Sequence, residues 1–164
     1  MSVTFNADEV LTLAMKIERN GARFYYRASE NMPTPSAKSL FKGLAVLEET
    51  HEKTFAAMKT ELSDQERTET VFDPENQNAD YLQALANGRV FDIHTDPVTK
   101  LTGRESLRDI IILAIGMEKD SIIFYLGMKE IVPPQLGKNR IDAIIKEEMR
   151  HITVLSQELA MLEK

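Results

Sequence analysis

Glu18, Glu48 and His51 recur as Glu118, Glu148 and His151, at an offset of 100 residues with no gap. Each half therefore holds one lone Glu and one Glu-x-x-His, which together make four carboxylates and two imidazoles. Carboxylate oxygens are hard donors and imidazole nitrogens borderline ones, a combination that suits a pair of iron or manganese ions. A single Glu-x-x-His on a helix ordinarily marks a solvated face. Two copies, each matched with a lone Glu at the same spacing, make a candidate set of six metal ligands. Tyr25 recurs in the same way as Tyr125, and Leu13, Ala14, Phe24, Glu30, Pro33, Lys38 and Leu62 also have counterparts 100 positions on.

Four long helices must position these groups, over about 6–31, 34–62, 102–132 and 137–164. Asn6 and Glu9 have capping-box spacing, as do Thr102 and Glu105. Thr34 is a natural N-cap with Pro35 at the first helical position. Short links make two antiparallel hairpins. The segment 63–101 between them is too long for a simple bundle loop and carries turn signals at Asp73-Pro74, Asn87-Gly88 and Asp96-Pro97. A short helix is expected over Ala79–Ala86. A crossover of this length lets the second hairpin start at the same end of the bundle as the first, and the whole chain, 1–164, is expected to form one domain.

The ligand candidates interrupt apolar stripes of alternating three- and four-residue steps. The second helix reads Phe41, Leu44, Glu48, His51, Phe55, Met58, Leu62, and the fourth Ile141, Ile144, Glu148, His151, Leu155, Leu162. Glu18 and Tyr25 share a stripe with Leu11 and Ala14, while Glu118, Ser121 and Tyr125 share one with Ile111 and Ala114. Unpaired buried carboxylates are costly, so six ionisable groups in one core need a common cause. Their heights agree. Pro33 is the midpoint of Glu18 and Glu48, and Pro133 that of Glu118 and Glu148. Each pair thus lies about 13–15 residues from its hairpin tip, roughly 20 Å along the helix. Four carboxylates would neutralise two divalent cations. Tyr25 and Tyr125, two turns beyond the lone glutamates, are read as core side chains that also donate to ligand carboxylates.

Composition narrows the alternatives. The 164 residues are 43% hydrophobic and 28% charged, ordinary for a globular chain. A net charge of −6 argues against a nucleic-acid groove. The absence of cysteine excludes disulfides, thiolate nucleophiles and Cys-ligated iron. No signal segment and no apolar run of ~18 residues is present, so no membrane partner and a cytoplasmic location are expected. His94, Glu49, Glu52 and Glu147 read as surface or rim residues, and Val90, Phe91 and Ile93 as an apolar cluster that packs on the bundle or builds a subunit interface.

On these residues the chain resembles the ferritin-like di-iron carboxylate family, in which two helices each give a Glu and two each give a Glu-x-x-His. The resemblance spans all four long helices, and implies an all-α, ferritin-like four-helix bundle. Within the family it is most similar to rubrerythrin-like proteins lacking the rubredoxin domain, to which the segment Tyr81–Phe91 also corresponds. The resemblance implies two iron ions per chain, bridged by Glu48 and Glu148, with Glu18, His51, Glu118 and His151 terminal. It implies an oxidoreductase that reacts Fe(II) with O2 or hydrogen peroxide, fed by free Fe(II) or a separate electron donor, and assembled as a homodimer. An iron-handling protein without catalysis and a di-manganese, catalase-like enzyme are the alternatives. Rubrerythrins proper carry a further Glu three positions after the third-helix ligand, where this chain has Ser121; its first-helix counterpart is Gly21. Glu49 stands where bacterioferritins carry a haem-binding Met, so no haem is expected. No fifth helix follows the fourth, which argues against a large storage cage.

Overall fold

The computed structural model describes residues 6–68, 77–86 and 95–162. Among the described residues, six α-helices carry the fold: α1 (Ala7–Glu30), α2 (Pro35–Thr60), α3 (Asp64–Thr68), α4 (Gln77–Ala86), α5 (Leu107–Met128) and α6 (Lys138–Leu162). Among the described residues there is no strand, and the architecture is an all-α, ferritin-like bundle. The first hairpin pairs α1 with α2 and the second pairs α5 with α6. The two meet where α1 touches α5 and α2 touches α6.

Local chemistry sets the helix ends. Glu9 N donates to Asn6 Oδ1 at 2.8 Å while Asn6 N donates to Glu9 Oε2 at 3.1 Å, closing the box at the start of α1. Thr34 Oγ1 accepts from Ala37 N at 3.1 Å, and Pro35 opens α2. At α5 the structure corrects the expected start. Thr102 N does donate to Glu105 Oε1, at 2.8 Å, but Gly103 between them sits at φ +84°, a left-handed conformation that no helix contains. The cap is instead Ser106, whose Oγ accepts from Asp109 N at 3.1 Å. That helix also ends at Met128, earlier than position 132. A single 3-10 turn, Pro134–Leu136, and Gly137 at φ +101° then lead into α6.

The crossover holds more structure than its turn signals suggest. Ser63 and Glu66 cap α3 by reciprocal bonds, and Arg67 ties α3 to Asp8 at 3.0 Å and to the carbonyl of Lys59 at 2.9 Å. Tyr81 of α4 donates to the carbonyl of Ile123, which seats α4 on α5 at Gly127. A Cβ at Gly127 would stand 2.6 Å from the Tyr81 ring, so this crossing needs a glycine. Asp73-Pro74, Asn87-Gly88, Val90, Phe91, Ile93 and His94 lie outside the described residues.

The core divides into two apolar clusters. One gathers Leu11, Ile17, Phe55, Met58, Phe124, Tyr125, Ile141 and Ile144; the other gathers Phe24, Tyr25, Phe41, Leu44, Ile111, Ala114 and Leu155. On each of the four long helices the polar stripe residues fall between the two. On α1 the interval is Glu18, on α2 Glu48 and His51, on α5 Glu118 and Ser121, and on α6 Glu148 and His151. Leu162 departs from its expected place on the α6 stripe, since it is exposed at the end of that helix. A single polar layer thus crosses the bundle between two apolar plugs. None of the described helices is long and apolar enough to cross a membrane.

Candidate metal centre

Glu18, Glu48, His51, Glu118, Glu148 and His151 are all buried, none more than 4% exposed. They converge in two overlapping groups, within each of which one donor atom per residue lies within 4.8 Å of the others. The first group is Glu18, Glu48, His51 and Glu148; the second is Glu48, Glu118, Glu148 and His151. Glu48 and Glu148 belong to both, whereas each lone Glu and each His belongs to one. Geometry therefore separates two shared carboxylates from four unshared donors, the division that a two-ion site requires.

Both imidazoles turn Nδ1 inward. His51 Nδ1 lies 3.0 Å from Glu148 Oε1 and 3.5 Å from Glu18 Oε2. His151 Nδ1 lies 2.8 Å from Glu148 Oε2, 3.2 Å from Glu48 Oε1 and 3.3 Å from Glu118 Oε1. The rings stack with centroids 5.8 Å apart and planes 20° from parallel.

The tyrosines cross between the halves. Tyr25, on α1, donates its hydroxyl to Glu118 Oε1 on α5, and Tyr125, on α5, donates to Glu18 Oε1 on α1. Tyr25 and Tyr125 come from opposite apolar clusters, and each lone glutamate is anchored by the phenol of the other hairpin. Burial, reinforced by the nearby carboxylates, pushes both phenols well above their usual value of 10, so they remain protonated donors.

The electrostatics of the layer are those of a cluster short of positive charge. Burial pushes Glu18, Glu48 and Glu118 well above the ordinary carboxylate value of 4.5. Burial acts on Glu148 in the same direction, but the adjacent His151 and His51 imidazoles outweigh it and hold that group at about 2. Burial acting alone would lower the histidines. The Glu148 and Glu147 carboxylates instead push His51 up to about 9, and Glu118, Glu148 and Glu48 push His151 up to about 12. Protons thus balance a charge that divalent cations can balance instead.

Whether a metal fits can be judged from the polar atoms themselves. Glu18 Oε2, Glu48 Oε1, both carboxylate oxygens of Glu148, and Nδ1 of His51 and His151 are buried without a hydrogen-bond partner. Buried polar atoms are almost always satisfied, so a cluster of orphans needs an explanation. These are the inward-facing atoms of a hard and borderline donor set, and two cations would satisfy them all.

Glu147 is the residue of the centre that its sequence position does not reveal. It reads as a rim carboxylate beside a ligand, yet its Oε2 lies 2.8 Å from His51 Nε2. The only signal in the sequence is adjacency to Glu148. The reach across from α6 to α2 depends on packing that periodicity does not encode. Glu52 does face outward, paired with Arg19, whose Nε donates to it at 2.9 Å.

Comparison with known proteins agrees with this geometry. A family model described as Rubrerythrin matches residues 9–159. No curated protein matches the chain. Among solved structures, a Thermotoga maritima protein described as ferritin-like and diiron-carboxylate superposes with a TM-score of 0.76 at 24% identity, over 96% of each chain. At that identity the superposition speaks for the fold.

Proposed function

The chain belongs to the rubrerythrin family, and on that premise we propose that its polar layer binds two iron ions and reduces O2 or hydrogen peroxide. The carrying observation is the set of buried, partnerless carboxylate oxygens and imidazole nitrogens arranged in two groups that share Glu48 and Glu148. Glu18 and His51 would complete one ion's ligands, and Glu118 and His151 the other's. Bound as a ferrous pair, iron would supply two electrons per cycle to the oxidant.

The chain's own residues set the conditions for that exchange. Four carboxylates give a charge of −4, which two divalent cations cancel, so a loaded site is close to neutral in a low-dielectric core. Tyr25 and Tyr125 each hold one oxygen of a lone glutamate, leaving the other oxygen free to turn inward. The apolar clusters on either side exclude bulk water from the layer. Electrons for further cycles come from free Fe(II) or a separate donor, since the chain has no cysteine to hold a second redox centre.

Metal analysis of protein purified without added metal, read with peroxide consumption under a reductant, tests this reading. Two iron ions per chain and sustained turnover are the expected result. Manganese with peroxide disproportionation, or no metal in the layer, would overturn it. Replacing Glu48 or Glu148 with Ala should deplete both ions, while His51→Ala or His151→Ala should deplete one more than the other. Retention of two ions in all four variants would refute the assignment of shared and unshared ligands.

A further inference from the structure

The repeat that builds the centre is broken at the residue just before one of its shared glutamates. Glu147, just before Glu148, reaches His51 Nε2 at 2.8 Å. Its counterpart 100 residues earlier, just before Glu48, is Leu47. A leucine cannot accept a hydrogen bond, and His151 Nε2 is buried with no partner among the described residues. The two positions are otherwise alike in setting. The Glu147 side chain is 38% exposed and Leu47 is 40% exposed. Glu147 also lines a surface groove of about 350 Å³, together with Asp142, Lys146 and Arg150.

The bond has a consequence for the opposite nitrogen. An imidazole that donates Nε2–H to a carboxylate carries its lone pair on Nδ1, the atom that faces Glu18 and Glu148. The same bond fixes the ring's rotation and makes Nδ1 a better donor. Partners of this kind are commonly worth about 10–100-fold in metal affinity. His151 has the same inward Nδ1, but among the described residues no group accepts from its Nε2 to set its tautomer and rotation from behind.

We propose that Glu147 is a positioning residue that makes the two metal positions unequal, so that the His51 position fills before the His151 position. This rests on the reading of the layer as a two-metal centre and adds an order of occupancy to it. The ligand sets are symmetric by residue type, and the proposed difference comes from what holds each imidazole from behind.

Cobalt(II) is a suitable probe, because it takes the same donors and can be located by its anomalous signal. Protein loaded with one Co(II) per chain should show at least ~10-fold higher occupancy at the His51 position. In Glu147→Leu, which copies the Leu47 side, occupancy should become nearly equal. Leu47→Glu should likewise narrow the difference, by giving His151 an acceptor. Glu147→Gln should keep the preference, because the amide oxygen still accepts from Nε2–H. Equal occupancy in the wild type, an unchanged preference in Glu147→Leu, or loss of preference in Glu147→Gln would each overturn the proposal. Failure of cobalt to enter the layer at all would instead overturn the two-metal reading on which it rests. The occupancy ratio is internal to each crystal, so a variant that is merely less stable does not imitate the effect.

Discussion

The hydroxyl of Tyr25 donates to Oε1 of Glu118, which lies on the other hairpin and 93 residues along the chain. Tyr125 returns the bond to Glu18. Each lone glutamate is therefore oriented by a phenol from the opposite half of the repeat. These bonds also stitch α1 to α5 across the seam between hairpins. One pair of residues thus serves both the geometry of the centre and the docking of the two hairpins.

Removing either phenol should consequently have a crossed effect. Tyr25→Phe should weaken the metal position that uses Glu118 and His151, and Tyr125→Phe the one that uses Glu18 and His51, each by about 10–100-fold. Loss of a buried hydrogen bond should also lower stability by roughly 1–3 kcal/mol. Metal stoichiometry at limiting iron, with thermal denaturation, measures both. If each variant lost the ion on its own hairpin's histidine, the crossed arrangement would be wrong.

The protonation pattern predicts how metal-free protein responds to pH. His51 rises from 6.5 to about 9 and His151 from 6.5 to about 12 on folding, so the folded state holds protons that the unfolded chain releases above pH 6.5. Stability then falls as pH rises from 6.5 through 9, and the three raised glutamates act in the same direction from 4.5 upward. The His51 shift alone is worth on the order of 3 kcal/mol at ~1.36 kcal/mol per pH unit. Glu148, held at about 2, acts oppositely, but only as pH falls below 4.5. Metal displaces these protons, so metal affinity should strengthen over the window in which the metal-free fold weakens. Calorimetric melts with and without metal should diverge between pH 6.5 and 9. A metal-free Tm that rises over that range would contradict the charge balance.

What could be read from the sequence divides by physical cause. The convergence of the six candidate donors was legible because they break apolar periodicity, and they break it in two places that match. The ferritin-like fold followed from helix lengths and one long crossover. The start of α5 was not legible, since Thr102–Glu105 and Ser106–Asp109 both have capping spacing and only the backbone at Gly103 decides between them. The partners of the tyrosines were not legible either. Stripe position places Tyr25 near Glu18, whereas its hydroxyl extends past its own helix to Glu118. Glu147 escaped for a related reason: it lies off the seam by periodicity, and its reach to His51 exists only once α6 lies against α2.

Gly21 and Ser121 occupy equivalent places beside the centre, and only Ser121 already carries a side chain. A Cβ at Gly21 would stand 3.3 Å from Glu48 Oε2, so any side chain there pushes a shared ligand. Ser121 already carries a side chain, and its hydroxyl turns back to the Met117 carbonyl at 3.1 Å, away from the donors. Neither residue can supply the additional carboxylate that the resemblance associates with rubrerythrins proper. Iron positions should therefore change little with redox state, and the ferrous protein should react measurably with both O2 and peroxide. Ser121→Glu should shift the balance toward peroxide where α5 leaves room for a seventh carboxylate beside the layer. Gly21→Glu should instead impair metal binding, because the new side chain and Glu48 compete for the same space. Stopped-flow oxidation of the ferrous protein by each oxidant reads the first effect, and iron stoichiometry reads the second. A wild-type rate with peroxide orders of magnitude above that with O2 would show that the missing carboxylate does not set the preference.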